Sequence, residues 1–273
     1  GYRGAEAFVE VPHSDIDPAK ILVSALQEHN DSDELMIAAV LSSNVNQVEA
    51  ILKSGQSIQI SGDGLKLAKR YLTADPQLGN KRIRKGSLIR VQKNNHNQWK
   101  ITQLPEVEAA LVSIDANNGK IRALVGGFDF YLNQFNHVTQ AWRQPGSSFK
   151  PFIYSASLEK GFTPATIIND APIYFDAAQT GSKPWEPKNF DGKFGGPIRM
   201  RVALAQSKNL ASIRILQAIS PRYAQDYITR FGFDSNRHPP YLPMALGAGS
   251  VTPLQMASGY AIFANGGYKV DPY

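Results

Sequence analysis

Apolar positions along the 273-residue chain follow two regimes. From Leu35 to Leu104 they come in short β-branched or alternating runs: Leu35–Ser42, Gln47–Leu52, Gln56–Ile60, Ser87–Gln92 and Gln98–Leu104. Runs of this length between polar breaks predict strands. Gly62–Asp63–Gly64 turns the chain before a small helix-like piece at Leu65–Tyr71, and Lys85–Gly86 precedes the fourth strand. Five short strands with one small helix predict a compact all-β barrel of the oligonucleotide/oligosaccharide-binding (OB) type.

After Pro105 the period changes. Val107–Ile114 and Lys120–Gly126 flank Asp115–Ala116–Asn117–Asn118–Gly119, a hairpin signal. Phe149, Phe152, Ile153 and Ala156 then recur at helical spacing. Further helices are predicted over Arg199–Gln206, over Leu210–Ile219, and from Ser220–Pro221 to Gly232. A last helix opens with Thr252 as N-cap, Pro253 at the first position and Gln255 completing a capping box, and stops at Gly266–Gly267. This part is α+β, and a two-stranded hairpin is too little to bury so many helices.

The first 33 residues read as an N-terminal segment and linker. Gly1–Ser14 is extended, Asp17–Pro18 opens a helix through Ile21, Leu22 and Ala25, and the polar cluster from His29 to Asp33 ends it. The predicted domains are therefore 1–33, a barrel over 34–104, and a larger unit over 105–273.

Composition narrows the chemistry. There is no cysteine, which excludes disulfides, thiolate metal sites and a cysteine nucleophile. His13, His29, His96, His137 and His238 are scattered without metal-ligand or triad spacing and read as surface or loop residues, so no cofactor or metal is expected. The net charge of +6 suits an anionic neighbourhood. Lys81, Arg82, Arg84, Lys85, Arg90, Lys93 and Lys100 gather in the barrel with Tyr71 and Trp99. They read first as a solvated basic face, then as a surface for a protein or glycan partner in preference to nucleic acid.

The candidate chemistry lies at Arg143–Phe152. Pro145–Gly146 turns the chain into a helix, and Ser147 and Lys150 fall on one face of its first turn, close enough to touch. Pro151 sits where a missing N–H costs little. Serine becomes a nucleophile when a base takes its proton, and a neutral lysine can do so. Only about one lysine in a thousand is neutral near pH 7.4, so the site must disfavour the ammonium by roughly 4 kcal/mol. Burial and a neighbouring cation are the expected means.

Ser147–Ser148–Phe149–Lys150, the later Ser207–Lys208–Asn209, the hairpin ALVSIDANNGKIRALVGG, the approach FNHVTQAWRQPGSSFKPF and the segment ALGAGSVTPLQMASGYAIFANGG together resemble the transpeptidase region of class A penicillin-binding proteins, of the Gram-negative 1A type. IINDAPIYFD and PWEPKNFDGKFGGPI are similar to the loop that frames that family's active-site cleft. The resemblance implies a penicillin-binding-protein/serine β-lactamase-like fold, an antiparallel sheet with helices on both faces, beside the OB-like barrel.

It also implies a D,D-transpeptidase that cross-links peptidoglycan stem peptides through a serine acyl-enzyme and is acylated by β-lactam antibiotics. By the resemblance, Ser147 attacks, Lys150 accepts its proton, Ser207 relays a proton to the leaving amine, and Asn209 holds Lys150 and the substrate amide. The Ser147 N–H, at a helix N-terminus, can donate to the developing oxyanion. A lipoprotein activator on the barrel, a glycosyltransferase domain in the parent, and a periplasmic location on the inner membrane through an anchor outside this chain are further implications. The family's third motif, Lys-Ser/Thr-Gly on a core strand, does not follow Asn209, so a second chain carrying the rest of the domain is expected. A serine β-lactamase-like hydrolase and a non-catalytic cell-wall or partner-binding scaffold remain the alternatives.

Overall fold

The computed structural model describes residues 1–12, 17–181 and 183–273. His13 and Ser14, read as part of the extended start, lie outside them. The chain divides into two compact units, Gly1–Glu108 and Ala109–Tyr273.

The first unit is built on a six-stranded antiparallel sheet. Its strands are β1 (Ala7–Phe8), β2 (Met36–Ser43), β3 (Gln47–Leu52), β4 (Ser57–Ser61), β5 (Ser87–Lys93) and β6 (Trp99–Thr102), in the order β1-β5-β2-β3-β4 with β6 on β5. A register shift between Val40 and Ser42 bends β2. Alternation sorts the side chains: Ile58 and Ile60 of β4 point inward between exposed neighbours. The helix-like piece at Leu65–Tyr71 is a set of 3-10 turns over Gly62–Leu65, Lys69–Leu72 and Pro76–Lys81.

β2 and β5 are buried on both faces, and this corrects the reading of 1–33 as a linker. Ala38, Val40, Ile89 and Val91 face the barrel interior. Ile37, Ala39 and Leu88 face outward, where Leu22 and Leu26 of α1 (Pro18–Leu26) cover them completely. Asp17 caps α1 by accepting the Ala19 N–H, as predicted. β1 pairs with β5, Tyr71 Oη donates to Tyr2 O at 2.7 Å, and Arg3 donates to Leu104 O. The described residues among the first 33 therefore form one wall of this unit.

The basic cluster is likewise not one face. Arg90 is 5 % exposed, paired with Glu6 at 3.1 Å and donating to the carbonyls of Asn30 and Leu35. Arg84 stacks its guanidinium on Phe8, and Lys93 lies over Trp99.

In the second unit, β7 (Leu111–Ile114) and β8 (Ile121–Val125) form the predicted hairpin. Asp115 organises its turn by accepting from Asn117 N and from the Arg122 guanidinium, which holds its carboxyl below the usual range. The 3-10 turn Gly146–Phe149 leads into α2 (Lys150–Glu159), which is buried nearly all round. Phe149, Phe152, Ile153 and Ala156 are fully buried, as their spacing predicts.

Next come β9 (Ile167–Asp170), the short α3 (Ala177–Thr180) and β10 (Gly196–Arg199), which pairs with β9. Then follow α4 (Met200–Ala205), α5 (Asn209–Ile219), α6 (Pro221–Tyr227) and α7 (Pro253–Ala264). The core gathers α2, α5 and the aromatic pair Phe231 and Phe233. Ser220 stands at the α6 N-cap with φ of 76°, but its side chain does not cap. Thr252 and Gln255 make the predicted capping box in full. No described helix is long and apolar enough to cross a membrane.

Candidate active site

The site starts from a tight turn. Gly146 has φ of 59°, and its carbonyl lies so close to Gly247 that a Cβ on Gly247 would sit 2.1 Å from it. Arg143 and Val251 exchange backbone hydrogen bonds at 2.9 and 3.0 Å, and Gln144 Nε2 donates to Ala248 O. The 247–251 segment thus straps the turn that carries Ser147. Ser147 itself is exposed, and as a first-turn residue its N–H has no intrahelical acceptor.

Lys150, one turn on, is 1 % exposed. Its backbone N–H donates to Ser147 O, but its Nζ makes no hydrogen bond to Ser147. Nζ instead donates to Ser207 O at 2.7 Å, Ser207 Oγ at 3.0 Å and Asn209 Oδ1 at 2.8 Å. These acceptors match the three protons of an ammonium. They also suit the neutral amine, whose two protons can go to Ser207 O and Asn209 Oδ1 while its lone pair receives a hydroxyl proton. Burial lowers the Lys150 pKa to about 8. Burial is the cause, so the neighbouring cation expected from sequence is not needed.

Ser207 sits where few residues can. Its N–H donates to Leu204 O and the next N–H, of Lys208, to Ala203 O, which is a Schellman end for α4. Ser207 occupies the left-handed position at φ of 53°, where glycine is usual. A serine there carries backbone strain of about 1–2 kcal/mol and delivers its hydroxyl to Lys150.

Lys208, the middle residue of the motif, turns the other way. It is buried and paired with Asp191 at 2.9 Å and Asp170 at 3.7 Å. Its hydrogen bond to the Asp191 carboxylate holds it above the ordinary lysine range, so it stays charged while Lys150 is pushed toward neutrality.

Sequence reasoning missed the residues behind Asn209. Asn189 Oδ1 accepts the backbone N–H groups of Asn209 at 2.8 Å and Leu210 at 3.3 Å, capping α5 from a distant loop. Asn189 Nδ2 donates to Asp170 Oδ1 and to Lys193 O, and Asp170 Oδ2 also accepts from Gly195 N. Asn209 Nδ2 donates to Lys188 O. The two ends of the loop thus fix the amide that holds Lys150. The signal available was a polar Asp170 closing an apolar run and an Asn-x-Asp pair among aromatics. On the helix side, Tyr154 donates to Ser212, and Ser212 to Lys208 O, which ties α2 to α5.

His238 corrects another expectation. It is 1 % exposed, stacked on Phe149 at 4.7 Å, and neither ring nitrogen has a partner. Gly249 lies so close that a Cβ there would touch Nδ1. Burial lowers its pKa to about 4. Of the other histidines, His96 is exposed, His29 and His137 are half-buried, and His13 lies outside the described residues. The letters Lys-Ser-Gly occur at Lys53–Ser54–Gly55, in the β3–β4 turn of the first unit and not on a strand.

Both units match known protein domains. Residues 2–107 match the penicillin-binding protein OB-like domain, and residues 109–273 match the penicillin-binding protein transpeptidase domain. Penicillin-binding protein 1A of Neisseria flavescens is 46 % identical over 272 residues, covering 100 % of this chain and 34 % of that protein. Its counterpart in Escherichia coli K12 is 42 % identical, covering 100 % of this chain and 32 % of that protein. The chain thus spans about a third of the length of the curated relatives it matches.

The crystal structure of penicillin-binding protein 1A from Haemophilus influenzae superposes with a TM-score of 0.88 at 36 % identity, over 100 % of this chain and 39 % of that one. The PonA1 protein of Mycobacterium tuberculosis, solved in complex with penicillin V, covers 61 % of this chain and 47 % of its own at a TM-score of 0.53 and 28 % identity. With an OB-like unit leading into a transpeptidase unit, the chain belongs to the penicillin-binding protein transpeptidase family.

Proposed function

We propose that this chain carries the acylation machinery of a serine D,D-transpeptidase that cross-links peptidoglycan stem peptides and is inactivated by β-lactams. The observation that carries the reading is Lys150, buried one turn from Ser147 and held by both Ser207 and Asn209.

The neutral Lys150 amine takes the Ser147 hydroxyl proton as Ser147 Oγ attacks the carbonyl carbon of the penultimate D-alanine. The Ser147 N–H donates to the oxyanion that forms. The proton passes through the Ser207 hydroxyl to the leaving D-alanine amine, the C–N bond breaks, and an acyl-enzyme ester remains. Asn209 keeps Lys150 in place. The amine of a second stem peptide attacks the ester, its proton returns through the same groups, and Ser147 is released as the new amide forms. Walls absent from residues 109–273, among them a Lys-Ser/Thr-Gly strand, come from outside this chain, on the same polypeptide or a second chain.

The similarity to penicillin-binding proteins 1A extends the proposal to a periplasmic site at the inner membrane, a glycosyltransferase in the whole protein and a lipoprotein activator on the OB-like unit. The test uses full-length protein with a stem pentapeptide and an acceptor amine. Cross-linked product that Ser147→Ala abolishes is expected. Hydrolysed peptide without cross-links identifies a hydrolase, and neither product identifies a scaffold.

A further inference from the structure

The first unit has a cavity of about 570 Å³ between the start of β2, the β3–β4 turn and the β5–β6 hairpin. Its size is that of small-ligand pockets. Trp99 stands half-buried at its edge, opposite Lys93 in the β5–β6 register. Met36 and Leu52 give it an apolar floor.

The polar lining is open to a ligand. The amides of Gln56 and Asn95 are exposed and make no side-chain hydrogen bond among the described residues. Glu34 accepts from Gln92 through Oε2, which leaves Oε1 for a ligand hydroxyl. Two unengaged amides both donate and accept. Charge narrows the class. The cavity holds one acid, Glu34, and one base, Lys93. That balance does not favour a phosphate backbone or an anionic headgroup, in spite of the basic residues elsewhere in the unit. A neutral ligand with vicinal hydroxyls, acetamido groups and an apolar C–H face suits Glu34, Gln56, Asn95 and Trp99 together. The hydroxyls go to Glu34 and Asn95, the acetamido N–H and C=O to Gln56, and the C–H face to Trp99.

We propose that this cavity is a binding site for a glycan strand of N-acetylated hexosamines, a second hold on the polymer whose peptides the Ser147 site joins. The choice of polymer rests on the transpeptidase reading; the chemistry of the cavity does not. OB-type barrels present such surfaces to oligosaccharides.

The test is fluorine NMR of the full chain labelled with 5-fluorotryptophan, which reports Trp99, Trp142 and Trp185 separately. The titrant is the β-1,4-linked tetramer of N-acetylglucosamine. A saturable shift of the Trp99 resonance is expected, with Trp142 and Trp185 unmoved. Glu34→Ala and Gln56→Ala each weaken it about tenfold. Both positions are at the surface, and an unchanged circular dichroism spectrum confirms their folding. Ser147→Ala leaves the titration intact, and in the full-length protein Glu34→Ala leaves β-lactam acylation intact, so failure of either reading is seen separately. An unmoved Trp99 resonance overturns the proposal. So does an equal response to a glucose tetramer without acetamido groups, or a response to a single-stranded oligonucleotide or protein partner in place of the sugar.

Discussion

Asn189 Oδ1 receives the backbone N–H of Asn209 at 2.8 Å, so a loop residue twenty positions earlier sets the amide that holds Lys150. Asn189→Ala removes that cap and leaves Asp170 without one of its donors. The expected loss is about 2 kcal/mol of stability and about tenfold or more in acylation rate, because Asn209 is no longer fixed. Asn189→Asp should cost more, since it sets a carboxylate against Asp170. Thermal unfolding and acylation kinetics check both; an unchanged acylation rate in Asn189→Ala contradicts the positioning.

If Lys150 is the base, acylation should depend on pH. With its pKa lowered to about 8 by burial, the neutral amine is about one molecule in five at pH 7.4. The acylation rate should rise with pH through about 8 and level off above it. Well below 8 it should fall about tenfold per pH unit. A rate profile flat between pH 6 and 9 would show that Lys150 is not the base.

Ser207 trades stability for a hydroxyl. Ser207→Gly relieves the left-handed backbone and should raise stability by about 1 kcal/mol. It removes the Lys150 Nζ to Ser207 Oγ contact of 3.0 Å and should slow acylation about a hundredfold. Denaturation midpoints and acylation rates check the pair. A variant that is both less stable and equally active contradicts the assignment.

His238 sets an acid limit. Its folded pKa, lowered to about 4 by burial against partial opposition from Asp234, lies below the ordinary 6.5. The folded state therefore binds fewer protons than the unfolded one between these values. Its stability is full above about 6.5, is lost as pH falls toward 4, and levels out below. The loss is roughly 3 kcal/mol. His238→Phe keeps the stacking on Phe149 and removes the titration, so denaturation midpoints at pH 7 and 4.5 should differ less than in the parent. Equal acid losses would contradict it.

What was legible in the sequence was local and periodic. Strands β2 to β6, the α2 face and the capping box at Thr252 all follow from spacings of two to four residues. What was not legible depends on distant segments. The outward faces of Ile37, Ala39 and Leu88 need α1, so a continuous apolar run hid a second packed face and made 1–33 read as a linker. Asn189 and Asp170 lie in irregular or short extended segments that no periodicity marks. The burial of His238 against Phe149 and Gly249 depends on a turn far along the chain. The direction of the Lys150 side chain, toward Ser207 in preference to Ser147, is fixed by α4 ending in a left-handed serine.

The central claim is that Ser147 is the nucleophile and Lys150 its base. Intact-mass measurement of the full-length protein after exposure to penicillin, followed by peptide mapping, tests it most directly. The account predicts one adduct of the antibiotic's mass on the peptide that contains Ser147, absent in Ser147→Ala and strongly slowed in Lys150→Arg, which cannot supply a neutral amine. An adduct that persists in Ser147→Ala, or that maps to another residue, would contradict it.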